Sequence, residues 1–218
     1  MMSGFFRQDR HLNVKICGIT NADDAQTAIE AGADALGFNL YRRSKRYIDI
    51  EKARDWLTDL PDSVTRVAIL VNPTPEEAIA TAELAFIDAL QLHGDEPPEL
   101  CRMLQDRHVP FAKAVRPQRD DLGANFHTRT LLLDSASLSE FGGTGETFPW
   151  TLARRWIDNF REHQFILAGG LTPENVADAI REVRPFAVDV TSGVEASPGR
   201  KDPARVRSFI AAARAALA

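Results

Sequence analysis

Phe165–Val190 reads FILAGGLTPENVADAIREVRPFAVDV, and the order of its parts decides the fold. An apolar run, Phe165–Ala168, stops at Gly169-Gly170, and a polar stretch containing Thr172-Pro173 follows. Val176, Ala179, Ile180 and Val183 then recur at the i, i+3, i+4, i+7 spacing of a helix with one apolar face. A second apolar run, Phe186–Val190, closes the segment. Runs without polar alternation fit parallel strands covered on both faces. Strand, helix and strand in this order make one unit of a parallel sheet.

The same pattern extends outward. Val14–Cys17, Ala35–Phe38, Val67–Val71, Ala89–Leu92, Phe111–Val115 and Leu131–Leu133 are further strand candidates, which brings the total to eight. Thr74-Pro75-Glu76-Glu77 predicts a helix start, with a capping threonine, proline at the first position and glutamate at the third. Thr172-Pro173 and Asp202-Pro203 repeat the cap-then-proline start, and Val206, Phe209, Ile210 and Ala213 give a second helical stripe. Around Gln118–Asn125 a glycine and weak periodicity predict a short or irregular helix. An open doubly wound sheet usually has fewer strands and often a glycine fingerprint after the first, which Gly18-Ile19-Thr20 does not match. Eight strand–helix units in about 200 residues predict a single-domain α/β protein, a (β/α)8 barrel with eight parallel strands. The barrel spans residues 14–218, and residues 1–13 form an N-terminal extension.

Composition narrows the function classes. Lys and Arg number 26 against 31 Asp and Glu, a net charge of −5, which argues against a nucleic-acid partner. No stretch approaches the roughly 20 apolar residues of a membrane span, and Met1–Asn13 lacks the apolar core of a secretory signal. Cys17 and Cys101 stand far apart and make no disulfide framework, so a reducing, cytoplasmic setting is expected. The five histidines are scattered singly, so no metal site is expected.

Barrel active sites sit where strands end and the following loops begin. Those positions hold Cys17, Asn39, Asn72, His93, Arg116, Asp134, Gly169-Gly170 and Asp189–Gly193, a polar set directly after apolar runs. Cys17 reads either as a small buried hydrophobe or as a base or nucleophile acting through its thiolate. Asp134, after three leucines, either caps the next helix or donates a proton. Gly169, Gly170, Ser192 and Gly193 follow the seventh and eighth strands, where backbone N–H groups of such barrels hold phosphate; a tight turn is the alternative for Gly-Gly. Arg42-Arg43-Ser44-Lys45-Arg46 is either solvated surface or a clamp for a carboxylate. His93 is a substrate contact or a hydrogen-bonded structural residue, and Phe141–Gly145 reads as a lid or as a glycine loop without function.

Several segments together carry a resemblance: Lys15-Ile16-Cys17-Gly18-Ile19-Thr20, Ser44-Lys45-Arg46-Tyr47, Gln91-Leu92-His93-Gly94-Asp95, Leu133-Asp134, Gly142-Gly143-Thr144-Gly145, Ala168-Gly169-Gly170-Leu171 and Asp189–Glu195. From about Val14 onward the chain resembles the phosphoribosylanthranilate isomerases of tryptophan biosynthesis. The resemblance implies a cofactor-free (β/α)8 barrel that converts N-(5-phosphoribosyl)anthranilate to its 1-deoxyribulose 5-phosphate isomer by an Amadori rearrangement. It implies Cys17 as general base, Asp134 as general acid, Arg46 on the anthranilate part and the seventh and eighth loops on the phosphate. His93 and Asp189 join Arg46 as substrate contacts. Departures from the family pattern are mild: many members have proline at Lys45, serine at Thr191 and lysine at Glu146.

The expected partner is a phosphorylated small molecule, with no nucleic acid and no membrane. The expected state is a monomer by default, with a homodimer as the alternative. Another phosphosugar isomerase or lyase, and a non-catalytic barrel that senses a phosphometabolite, stay as competing functions. Retention of both Cys17 and Asp134 speaks against the sensor, which needs only the anion loops.

Overall fold

The computed structural model describes residues 12–115, 126–134 and 150–216. Eight parallel strands close into a barrel in sequence order: β1 (Asn13–Cys17), β2 (Ala35–Asn39), β3 (Thr65–Leu70), β4 (Ala89–Leu92), β5 (Phe111–Val115), β6 (Thr130–Leu133), β7 (Gln164–Leu167) and β8 (Ala187–Val190). The barrel closes because β1 pairs with both β2 and β8. Seven helices are described: α1 (Ala22–Glu30), α2 (Ile50–Thr58), α3 (Pro75–Ala82), α4 (Pro98–Asp106), α5 (Trp150–Asn159), α6 (Val176–Val183) and α7 (Pro203–Ala215). After β8 come one turn of 3-10 helix, Ser192–Val194, and a small hairpin of β9 (Glu195–Ser197) and β10 (Arg200–Lys201). The expected helix at Gln118–Asn125, the glycine loop at 141–145, Arg116 and most of the extension at 1–13 lie outside the described residues.

Strand alternation divides the core in two. Val14, Ile16, Leu36, Phe38, Leu90, Leu92, Leu131, Leu133, Phe165 and Leu167 belong to the apolar layer shared with the helices. The inward parity carries Ala35, Val67, Ala89, Ala112, Leu132, Ile166 and Ala187 in a separate cluster. These inner residues are mostly small, which leaves volume for long polar side chains inside the barrel. Lys15 takes some of it and is fully buried.

The helix starts follow local hydrogen bonding. At α3 the Thr74 hydroxyl accepts from Glu77 N–H at 3.2 Å, and the Glu77 carboxylate accepts from Thr74 N–H at 2.8 Å, so the predicted capping box forms. At α7 the Asp202 carboxylate accepts from the N–H groups of Ala204 and Arg205. The prediction at Thr172-Pro173 needs correction, because α6 begins only at Val176. Thr172 N–H donates to Asn175 Oδ1 at 2.8 Å, and Asn175 Nδ2 donates to Gly170 O at 3.0 Å. These bonds close a separate turn that anchors the loop after β7 and delays the helix.

Candidate active site

A cavity of about 750 Å³ opens at the C-terminal ends of the strands. Cys17, Arg46, His93, Asp134, Gly169, Gly170, Asp189, Ser192 and Gly193 all line it, so every residue singled out for the site reaches one space. Of the other strand-end positions, Asn39 lines the cavity. Asn72 instead serves the scaffold: its Oδ1 accepts from Asp95 N–H at 2.7 Å.

On one side stands a chain of three residues. Gln91 Nε2 lies 2.9 Å from His93 Nδ1, and His93 Nε2 lies 3.1 Å from Asp134 Oδ2. With the amide nitrogen donating to Nδ1, the imidazole carries its proton on Nε2 and donates it to Asp134 Oδ2. His93 owes its place to the loop that follows it. Glu96 is buried, accepts from Gly94 N–H at 2.8 and 3.0 Å and from Asn72 N–H at 3.0 Å, and pairs with Lys113 Nζ at 2.7 Å. The segment Gln91–Glu96 therefore combines a chemical half and a scaffold half.

Across the barrel, Cys17 ends β1 beside a cluster of charge. Lys15 and Asp189 are register partners on β1 and β8, and Lys15 Nζ donates to Asp189 Oδ1 at 2.9 Å. Burial opposes the Lys15 ammonium, but Asp189 and Cys17 outweigh it and raise the pKa above the ordinary value. Arg46 places Nε and Nη2 on the two Glu195 oxygens at 2.8 and 2.7 Å. Lys201 Nζ reaches the same carboxylate at 3.2 Å. Burial pulls the Glu195 pKa up, yet Arg46 and Lys201 together hold it below the usual range. For Lys201, burial wins over the attraction of Glu195 and lowers the pKa. The basic loop is thus only partly solvated surface: Arg42 is exposed and stacks on Tyr47, while Arg46 is tied into the site.

The loops after β7 and β8 touch. A Cβ on Gly193 would fall 1.9 Å from the Leu171 carbonyl oxygen, so only glycine allows this approach. Gly169 and Gly170 have φ of 82° and 65°, the left-handed region that suits glycine. The tight-turn reading and the anion reading of Gly-Gly are therefore compatible. Gly169, Gly170, Ser192 and Gly193 all line the cavity, so the two loops bring their backbone to its edge. Arg205 Nε holds the Gly193 carbonyl at 2.9 Å.

The sequence reading missed Lys15, Gln91, Glu195 and Lys201 as working parts of this site. Two of them carried a usable signal, because Lys15 and Gln91 stand two residues before Cys17 and His93 and so share their inward parity. Glu195 and Lys201 gave none, since only the fold brings them to Arg46. No group of three or more metal-ligating side chains occurs among the described residues. None of the described helices is long and apolar enough to cross a membrane.

A barrel whose mouth brings a thiol, a carboxyl, an arginine and two glycine-bearing loops together has clear relatives. The family model for N-(5'phosphoribosyl)anthranilate (PRA) isomerase matches residues 14–212. The N-(5'-phosphoribosyl)anthranilate isomerase of Trichlorobacter lovleyi is 47% identical over 206 residues, covering 94% of this chain and 100% of that protein. The isomerase of Thermotoga maritima is 48% identical over 201 residues, covering 91% and 97%. The crystal structure of the phosphoribosyl anthranilate isomerase from Thermotoga maritima matches with a TM-score of 0.84 and 45% identity, covering 94% of this chain and 99% of that one. A solved phosphoribosyl anthranilate isomerase in complex with reduced 1-(o-carboxyphenylamino)-1-deoxyribulose 5-phosphate matches with a TM-score of 0.78 and 42% identity over the same shares. With barrel, family model and relatives in agreement over almost its whole length, the chain belongs to the N-(5'-phosphoribosyl)anthranilate isomerase family.

Proposed function

We propose that the cavity isomerises N-(5-phosphoribosyl)anthranilate to 1-(2-carboxyphenylamino)-1-deoxyribulose 5-phosphate in tryptophan biosynthesis, with Cys17 as base and Asp134 as acid. The observation that carries the assignment of roles is the placement of a thiol on β1 and a carboxyl after β6 around one cavity. Two groups so separated can act on different atoms of one sugar. The relative solved with the reduced 1-deoxyribulose 5-phosphate compound supports the substrate class.

Protonated Asp134 gives its proton to the furanose ring oxygen, the bond from that oxygen to carbon 1 breaks, and the nitrogen lone pair forms the Schiff base. The Cys17 thiolate then takes the proton from carbon 2, and the released electron pair closes the enolamine. Tautomerisation of the enol at carbon 2 gives the ketone. Each positioned acid or base of this kind contributes about 10²–10⁴-fold. The Nε2–H of His93 orients the Asp134 carboxyl. Arg46 takes the anthranilate carboxylate, and the N–H groups of Gly169, Gly170, Ser192 and Gly193 take the phosphate. His93 and Asp189 line the space assigned to the sugar between these anchors, and holding both ends fixes the reacting atoms against acid and base.

The chain acts as a single catalytic barrel in the cytoplasm, on a small phosphorylated molecule. A monomer is the default state; the isomerase of Thermotoga maritima is described as dimeric, and light scattering decides between the two for this chain. The deciding assay for function is turnover of freshly made phosphoribosylanthranilate, followed by loss of anthranilate-type fluorescence. A folded protein without turnover removes the isomerase reading and leaves a different phosphosugar enzyme or a metabolite-binding barrel.

A further inference from the structure

Lys15 is fully buried inside the barrel, two residues before Cys17 on β1, so the two side chains share the inward face. A buried lysine normally demands a partner, and Asp189 supplies one at 2.9 Å. A neutral plug for the barrel floor would need nothing more. The pair does more than that, because of Gly37, the register partner of Cys17 on β2. A Cβ on Gly37 would fall 2.8 Å from Cys17 Sγ and 3.0 Å from Lys15 Nζ. Sulfur and ammonium therefore flank one point, which the missing side chain leaves open to them.

We propose that Lys15 is a positioning residue for proton transfer at Cys17: its ammonium, held by Asp189, orients and stabilises the thiolate that takes the sugar proton. This rests on the assignment of Cys17 as base. In the step, the thiolate forms an S–H bond with the proton of carbon 2, the C–H pair moves into the enolamine, and Lys15 keeps all three of its protons. When sulfur loses its charge, Asp189 still neutralises the ammonium, so no buried charge is stranded. The raised pKa of Lys15, to which both Asp189 and Cys17 contribute, agrees with this geometry. Arg46 and Lys201 also feel the sulfur charge, but both share Glu195. Lys15, on the same inward face of β1 as Cys17, comes to the sulfur beside Gly37.

The test titrates the Cys17 thiolate by its ultraviolet absorbance in a Cys101→Ala background, so that one thiol is read. In Lys15→Met the midpoint moves up by about 1–3 pH units, the scale of a neighbouring opposite charge. The same limb of the kcat/KM profile moves with it, with kcat falling more than KM changes. Because Lys15→Met strands Asp189 and threatens folding, Lys15→Met/Asp189→Asn removes both charges and is read by thiolate titration alone. The midpoint stays displaced upward in this double variant, and also in Gly37→Ala, which wedges a methyl group between sulfur and ammonium. A wild-type midpoint in the double variant overturns the proposal, since Lys15 then merely neutralises Asp189. Wild-type titration in both Lys15 variants, with turnover lost in Cys17→Ala, overturns it and leaves the base assignment standing. Near-wild-type turnover in Cys17→Ala removes the base assignment instead, whatever Lys15 does to the sulfur.

Discussion

Arg46 gives its Nε and Nη2 to the two oxygens of Glu195, at 2.8 and 2.7 Å, and so stands in a fixed orientation at the edge of the cavity. An arginine that presents a fork to a substrate carboxylate must itself be held, and Glu195, backed by Lys201, does this. Arg46→Ala is expected to raise KM about ten- to hundredfold, the scale of a hydrogen bond to a charged group at roughly 1.5–3 kcal/mol. Glu195→Gln leaves the guanidinium in place but loosens its aim, so KM rises by less while kcat changes little. Steady-state kinetics on both variants checks the order. Equal KM for Glu195→Gln and wild type would mean that the pair does not orient Arg46.

Removal of the acid or the base acts on the chemical step instead. Cys17→Ala and Asp134→Asn should each lower kcat by about 10²–10⁴-fold or more, with circular dichroism and phosphate inhibition close to wild type. Cys17 ends β1 and Asp134 directly follows β6, and their neighbours Ile16 and Leu133 carry the packing, so the barrel does not depend on them. Near-wild-type kcat in either variant would remove that residue from its role.

The two glycine loops separate binding of the phosphate from stability. Gly170→Val forces a branched side chain into φ of 65°, a strain of order 1–3 kcal/mol. Gly193→Ala pushes a methyl group into the Leu171 carbonyl and parts the loops after β7 and β8. Inorganic phosphate should inhibit wild type and Arg46→Ala alike, but inhibit the folded fraction of either glycine variant much less. Preserved phosphate inhibition in both glycine variants would place the anion elsewhere.

The barrel was readable because its strands are apolar on both faces and its helices carry a regular stripe. The runs Ala89–Leu92 and Phe111–Val115 match β4 and β5 at both ends. The predicted start shifted at Thr172-Pro173, where Asn175 stands in place of the third-position glutamate that follows Thr74 and its side-chain bonds close a turn before α6 begins. At the site, residues on strand ends were legible because the topology delivers them to one mouth. The long-range partners were not. Glu195 lies 149 positions from Arg46, and Lys15 lies 174 from Asp189, so only closure of the barrel reveals them.

Glu96 tests how far the scaffold half of Gln91–Glu96 supports the chemical half. Glu96→Ala strands the buried Lys113 ammonium and releases the N–H groups of Asn72 and Gly94. Breaking a buried pair on one side costs about 3–5 kcal/mol, so a large drop in unfolding free energy is expected. Because Gly94 follows His93 directly, kcat should fall as well, with Arg46-dependent binding retained. Loss of stability with unchanged kcat would show that His93 is held by Gln91 and Asp134 alone.

Cys101, in contrast, lies in α4 away from the cavity and predicts a pH dependence of stability. Burial pushes its thiol from the ordinary 9.0 up to about 11. Between those values the unfolded chain has lost the thiol proton while the folded chain still holds it. The folded state then binds more protons, so stability must fall as pH rises through this window. The loss from this one group amounts to about 2–3 kcal/mol by pH 11. Cys101→Ala removes the group and leaves a small cavity, so it should be less stable at neutral pH yet decline less steeply above pH 9. Lys15 acts later and in both proteins: with its pKa raised above 10.5, its contribution is fully present below that value and is lost as pH passes the folded pKa. Urea unfolding of wild type and Cys101→Ala from neutral pH to about pH 11 measures the two slopes. Parallel curves would mean that the buried thiol ionises in the folded chain as it does in the unfolded one, and that α4 opens to admit the charge.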